Sequence, residues 1–224
     1  MNRIVFDIET LGFPLDSFDE KQQEYLMKFA RSDEEKIEAI QKLNLSPLTA
    51  KVIAIGMLNP DSNQGKVLYD APNTEAWSSE DGMIQFVPGS EREMLEEFWK
   101  TLAHYAQFIT FNGRSFDCPF MMLRSALLGV KATRNLMPYR YGANEHCDLM
   151  EQFTFYSAIR KYNLDFYCKA FNIRSPKSGG ITGLDLGALH AEGRYKEIAE
   201  YCIGDVKATA ELYHRWQGLL SFEK

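Results

Sequence analysis

The sequence predicts a single α/β domain built on a mixed β-sheet. Strand-like apolar stretches dominate the first half of the 224-residue chain, and strands then alternate with helical segments. Hydrophobic residues make up 45% of the chain, which is enough for a sizeable core. No low-complexity linker divides the chain, so we expect one domain over residues 1–224.

Five stretches have the composition of β-strands. They span residues 4–10, 51–58, 66–71, 83–87 and 107–112. The turn "DSNQG" at 61–65 predicts a hairpin between the second and third of them. Pro88 and Gly89 end the fourth.

Helical segments follow these strands. Ser90 and Glu93 form a capping-box pattern that begins the first of them. A helix around 117–129 holds Pro119 in its first turn, where proline is tolerated. Further helices are predicted near 148–160, 164–171 and 194–218.

An insertion of about residues 16–48 separates the first two strands. Its apolar residues recur at helical spacing among many charges, so we expect two amphipathic helices that separate near Ser32 and Asp33. The insertion is either a solvated helical decoration or a lid that guides substrate.

The net charge of −6 argues against an overall basic surface and against tight non-specific binding to a polyanion. It is compatible with a nucleic-acid enzyme that has a local basic track. The four cysteines are widely spaced, which favours reduced core thiols over a zinc site or disulfides. Because the chain shows neither a signal peptide nor a membrane-spanning run, we expect no membrane contact and a cytoplasmic location.

Three acidic features lie at the ends of predicted elements. Asp7 and Glu9, in "FDIET", are two residues apart on a strand and therefore point to the same face. Asp117, in "FNGRSFD", begins a helix. Tyr201 and Asp205, in "YCIGD", are four residues apart and share one face of the last helix.

Each feature alone has an ordinary explanation, as a cap, a response to the helix dipole or a packed hydrogen-bonding pair. Together the three features contain four carboxylates, and no cluster of His or Cys accompanies them. No Lys or Arg adjoins Asp7 or Glu9 in sequence. Oxygen-only sites suit Mg²⁺ or Mn²⁺. Two such ions can clamp the attacking and leaving oxygens of a phosphoryl displacement, so we expect a two-metal site.

The three features also resemble the three exonuclease motifs of the DEDD superfamily, in its tyrosine subgroup. The motifs are "FDIET", N-x3-FD from Asn112 to Asp117, and Y-x3-D from Tyr201 to Asp205. The chain is most similar to the proofreading 3′–5′ exonuclease domain of family B DNA polymerases and its stand-alone relatives, over residues 1–10 and about 51–215. This resemblance implies an RNase H-like fold, with a five-stranded mixed sheet flanked by helices.

The resemblance also implies roles for the acidic residues. Asp7, Glu9, Asp117 and Asp205 would bind two ions of Mg²⁺ or Mn²⁺. Tyr201 would orient the attacking water or help to deprotonate it, and a phenol pKa near 10 favours orientation. No histidine lies near the position of Tyr201, which agrees with the tyrosine subgroup.

Four residues are predicted to contact substrate. Thr10, Asn112 and Phe116 match positions that approach or hold the terminal nucleotides in relatives, although Phe116 could equally belong to the core. Lys177, in a Gly/Ser loop, would contact a phosphate or remain a plain solvated lysine.

Local positive charge beside stackable aromatic rings is typical of single-strand binding. Arg114 and the segment 134–140 supply the charge, and Tyr139 and Tyr141 supply the rings.

The predicted activity is a metal-dependent 3′–5′ exonuclease that acts on single-stranded 3′ ends and releases nucleoside 5′-monophosphates. DNA is favoured over RNA as the substrate. A chain of 224 residues has no room for polymerase palm, fingers and thumb, so we expect the exonuclease to act alone. The alternatives are a 3′–5′ exoribonuclease of the same superfamily and a nucleic-acid-binding module without catalysis.

Overall fold

The computed structural model of the protein describes residues 2–71, 73–175 and 180–222. Seven strands form one mixed sheet within these residues. They are β1 (Arg3–Gly12), β2 (Ala50–Leu58), β3 (Gly65–Asp70), β4 (Trp77–Ser78), β5 (Ile84–Gly89), β6 (Gln107–Thr110) and β7 (His146–Asp148). Their order across the sheet is β4-β5-β3-β2-β1-β6-β7, so β1 lies between antiparallel β2 and parallel β6.

The helices of the described residues cover both faces of this sheet. They are α1 (Glu20–Met27), α2 (Asp33–Lys42), α3 (Glu91–Leu102), α4 (Asp117–Leu127), α5 (Leu149–Phe153), α6 (Leu164–Ala170), α7 (Leu186–Ala191) and α8 (Tyr195–Leu219). None of them is both long and apolar enough to cross a lipid bilayer.

The expected count of five strands was wrong, because β4 and β7 join the five predicted strands. β4 has two residues and β7 has three, so neither is long enough for an alternating pattern to be visible in the sequence. β4 is held by the ring of Trp77, which stacks on Phe86 of β5 at 3.7 Å between centroids. β7 is fully buried at the other edge of the sheet.

Side chains alternate along β1 between two cores. Val5 belongs to the core under α8, whereas Ile4, Phe6 and Ile8 belong to the core under α3 and α4. The odd-numbered residues of β1 therefore face α8, as the strand pattern predicts. From the sequence we expected Asp7 and Glu9 at the end of the strand. β1 runs on to Gly12, however, so both carboxylates lie inside it.

The insertion after β1 forms two helices that separate as predicted, with Ser32 as the N-cap of α2 and a capping box to Glu35. Neither α1 nor α2 contains a buried residue. The anchor is the 3₁₀ turn that follows α2, where Leu43 is buried and its carbonyl accepts a hydrogen bond from Thr49 Oγ1 at 2.7 Å.

The predicted helix at 148–160 is shorter than expected. α5 ends at Phe153, and Phe155, Tyr156 and Ser157 then adopt positive φ angles of 50°, 58° and 75°. A helix cannot continue through this left-handed backbone. By contrast, α3, α4, α6 and α8 lie where the sequence predicts them, and the four cysteines are buried and form no disulfide.

Candidate active site

Asp7 and Glu9 lie on the face of β1 that is covered by α8. In the antiparallel register, Asp7 is opposite Gly56 and Glu9 is opposite Ala54 on β2. Paired residues of neighbouring strands share a face, so both carboxylates have the smallest possible cross-strand neighbours. The register shifts just after Glu9, and such bulges are frequent beside active sites because they re-aim side chains. The small neighbours on β2 thus allow α8 to pack close to the two carboxylates.

The backbone of β1 binds Asp117 directly. Pairing between β1 and β6 ends at Val5, and the side chain of Asp117 accepts a hydrogen bond from the Ile8 N–H at 3.1 Å. The carboxylate therefore takes the place of a strand partner beyond the end of β6. Asp117 is also the first residue of α4, so the helix-dipole interpretation and the site interpretation both apply.

The turn before Asp117 is held by a residue that sequence reasoning missed. Asp148 is buried and accepts hydrogen bonds from the N–H of Asn112 at 3.0 Å and of Arg114 at 2.8 Å. Asn112 has a φ of 65°, and a Cβ at Gly113 would lie 2.4 Å from Thr110 Oγ1. The one sequence signal for Asp148 was its place just before a helix, where aspartate is a preferred cap.

Close packing of α8 on β2 brings Tyr201 and Asp205 to the same place. A Cβ at Gly56 would lie 2.7 Å from Val206 Cγ2 and 3.0 Å from Cys202 Sγ, so only glycine allows this approach. Tyr201 and Asp205 are one helical turn apart and half-buried.

Asp7, Glu9, Asp117 and Asp205, hereafter the carboxylate cluster, repel one another. Burial raises the pKa of Asp7 well above its usual value, and the nearby Asp117, Glu9 and Asp205 raise it further. The pKa of Glu9 rises through burial, then through Asp205 and Asp117. Burial is also the main reason why the pKa of Asp117 rises to about 7. Each motif thus places at least one carboxylate within electrostatic reach of the others.

The carboxylate cluster has the chemistry of a divalent cation site. Within the described ranges, no Lys or Arg forms an ion pair with Asp7, Glu9 or Asp117. Oxygen atoms of Asp7 and Glu9 lie within 4.8 Å of each other and of Cys202 Sγ. Burial raises the pKa of that thiol well above its usual value, so the hard oxygen donors fit Mg²⁺ or Mn²⁺ better than a soft metal.

Tyr201 lies within electrostatic reach of the carboxylate cluster. Burial raises the pKa of its phenol, and the neighbouring Asp205, Glu9 and Asp7 raise it further. A phenol with a raised pKa keeps its proton at neutral pH. This favours the orienting role over the deprotonating one.

A cleft of about 590 Å³ opens beside Glu9. Two of the predicted substrate residues, Thr10 and Phe116, line it. Thr10 Oγ1 also donates to the carbonyl of Asn44 at 2.7 Å, and Phe116 packs partly on the core, so each has a structural role as well. Of the other two, Asn112 supplies the backbone N–H bound by Asp148, and Lys177 lies outside the described residues.

The arginines that were predicted to supply local positive charge, at Arg114 and within 134–140, bind groups of the protein itself. Arg114 is mostly buried, with Nε 3.3 Å from Glu151, and Arg140 donates to the same carboxylate at 2.7 Å. Arg134 donates to two backbone carbonyls. Arg114 and Arg134 therefore serve internal contacts, whereas Arg140 and the rings of Tyr139 and Tyr141 remain exposed.

Comparisons with known proteins agree with this architecture. A family model described as "Predicted 3'-5' exonuclease related to the exonuclease domain of PolB" matches residues 47–221. DNA polymerase 1 of Sulfurisphaera ohwakuensis is 24% identical over 170 residues, and DNA polymerase 1 of Saccharolobus solfataricus is 25% identical over 160 residues. These matches cover 72% and 68% of this chain but 19% and 17% of the two polymerases.

Among solved structures, the family B DNA polymerase from the hyperthermophilic archaeon Pyrobaculum calidifontis aligns with a TM-score of 0.61 and 15% identity. The alignment covers 96% of this chain and 24% of that chain. It shows a shared fold over most of the chain.

Proposed function

Because the chain belongs to the family of predicted 3′–5′ exonucleases related to the exonuclease domain of PolB, we propose that its carboxylate cluster hydrolyses phosphodiester bonds at the 3′ end of single-stranded DNA. The observation that carries this proposal is that the four carboxylates lie within electrostatic reach of one another, while no Lys or Arg of the described residues forms an ion pair with Asp7, Glu9 or Asp117.

The proposed site residues divide the work. Asp7, Glu9, Asp117 and Asp205 would hold two divalent cations, which supply Lewis-acid activation of water and charge neutralisation when bound. The Ile8 N–H fixes the orientation of Asp117. Tyr201 donates its phenolic proton to orient the attacking water. The products would be nucleoside 5′-monophosphates.

DNA is the proposed substrate because the curated relatives are named DNA polymerases. RNA discrimination depends on contacts with the 2′-OH, so an RNA strand is the comparison that tests this choice. The chain spans between a tenth and a fifth of the length of those relatives, and we propose that its 224 residues cleave without an attached polymerase domain. The cytoplasmic location stays a prediction.

Digestion of 5′-labelled oligonucleotides by the purified chain tests the proposal. With Mg²⁺ or Mn²⁺ we expect a descending ladder on single-stranded DNA, slower cleavage of RNA and of duplex, and a block by a 3′-terminal phosphate. EDTA should abolish cleavage, because uncompensated carboxylates repel a phosphodiester. Cleavage that survives exhaustive chelation, or that releases the 5′ nucleotide first, would contradict the proposal.

A further inference from the structure

The helical insertion supplies one wall of the cleft beside the carboxylate cluster. This wall consists of residues from α2 and from the 3₁₀ turn that follows it, namely Glu38, Gln41, Lys42, Asn44 and Leu45. Other lining residues come from the segment 182–186, and Glu9 and Thr10 line the same cleft. The insertion therefore adjoins the space next to the proposed metal ligands.

The wall is fixed on the strand that carries two of those ligands. Asn44 accepts a hydrogen bond from Thr10 Oγ1 through its carbonyl and one from the Gly12 N–H through its side chain, at 2.7 and 2.5 Å. A Cβ at Gly12 would lie 2.9 Å from that side-chain oxygen. With Leu43 buried beneath it, the turn has a fixed position relative to β1.

The chemistry of the cleft suits an uncharged, flat group with apolar faces and a polar edge. Leu45 and Leu184 line it with 63% and 73% of their surface exposed, so both are available for contact. Lys42 Nζ lies 2.8 Å from Glu38 Oε1, so the positive charge of the wall is balanced and does not favour a phosphate. The amide of Gln41 offers both a donor and an acceptor.

We propose that the insertion clamps the base of the 3′-terminal nucleotide, which packs between Leu45 and Leu184 while its phosphate lies at the carboxylate cluster. This inference rests on the proposed function, which supplies the strand end. Cleft volumes of this size accommodate small-molecule ligands. The family model begins at residue 47, so its match does not include Leu45 or the rest of the insertion wall. The proposal follows the substrate-guiding interpretation of the insertion.

Paired substrates test the clamp. Leu45→Ala and Leu184→Ala should each lower kcat/KM about 10- to 100-fold on a single strand with a normal 3′-terminal nucleotide, the range expected when the burial of one leucine side chain is lost. On a strand whose 3′-terminal nucleotide is abasic, each variant should fall within about twofold of wild type, because the lost contact is with the base. Leu48→Ala is the matched control, since Leu48 is 62% exposed and does not line the cleft.

A binding measurement separates this inference from the proposed function. Fluorescence anisotropy with labelled oligonucleotide in Ca²⁺ should show the same base-dependent loss of affinity in Leu45→Ala. An active enzyme in which Leu45→Ala and Leu184→Ala match Leu48→Ala, or lose equally on both substrates, would overturn the clamp alone. A wild-type chain that binds the strand through the clamp yet cleaves nothing would overturn the proposed function alone.

Discussion

Two groups of buried acids lie next to each other in this molecule, and they differ in how their charge is compensated. Asp148 and Glu151 are hereafter the paired acids. Asp148 accepts hydrogen bonds from two backbone N–H groups, and Glu151 forms ion pairs with two arginines. In the carboxylate cluster, by contrast, no Lys or Arg of the described residues forms an ion pair with Asp7, Glu9 or Asp117, and the neighbouring carboxylates raise the pKa of Asp7 and Glu9.

Burial of an acid therefore does not by itself mark a functional site. The paired acids are satisfied within the fold, so their role is to hold the turn that carries Asp117. A buried carboxylate without such partners costs free energy, which a bound cation would recover. Substitutions in the two groups of acids should therefore have different effects on activity and on stability.

Asp7→Ala should reduce nuclease activity below detection and leave the melting temperature of the metal-free protein unchanged or higher. The raised pKa of Asp7 shows that its charge is unfavourable in the fold, so its removal relieves repulsion. Single-turnover cleavage and thermal unfolding in EDTA measure the two effects. Retained activity in this variant would overturn the site assignment.

Tyr201→Phe should slow single-turnover cleavage about 10- to 1000-fold while oligonucleotide affinity stays near that of wild type. The substitution removes one hydroxyl and keeps the packing of the ring, so the loss would fall on a group that acts in the transition state. If Tyr201 has only a packing role, both the rate and the affinity should change by less than a few-fold.

Glu151→Ala should destabilise the protein by about 3–5 kcal/mol, because it leaves the mostly buried guanidinium of Arg114 without its acidic partner. Arg140→Ala is the matched control. Its side chain is 46% exposed and pairs with the same carboxylate, so we expect a loss under about 1 kcal/mol. Urea unfolding of both variants gives the comparison, and equal losses would contradict the distinction.

His146 should produce a smaller, pH-dependent effect. Burial, then Arg114 and Arg134, lower its pKa to about 3, below the unfolded value of 6.5. Between these values the unfolded state binds a proton that the folded state does not, so the free energy of unfolding falls by about 1.4 kcal/mol per unit as pH decreases.

The difference in unfolding free energy between wild type and His146→Gln, measured from pH 7 to 5, isolates this contribution from that of the carboxylate cluster. A difference that does not change over this range would show that the imidazole titrates normally. NMR of its ring protons provides an independent check.

The α/β class, the five longer strands and the candidate site residues that share a face could all be predicted from the sequence. These features are visible because alternation, helical spacing and capping patterns are local. Asp7 and Glu9 share a face through strand geometry alone, and Tyr201 and Asp205 share one through helical spacing.

Which charged side chains pair within the protein, and which could bind a ligand, is visible only in the tertiary structure. In the sequence, Arg114 cannot be distinguished from an arginine that binds substrate. In the structure it is mostly buried against Glu151. Asp148 has no motif of its own and is recognised through two backbone N–H groups 34 and 36 residues away. Gly56 matters because α8 packs against it, and Leu45 because its turn is fixed on β1. Such contacts join residues distant in sequence, so no local pattern records them.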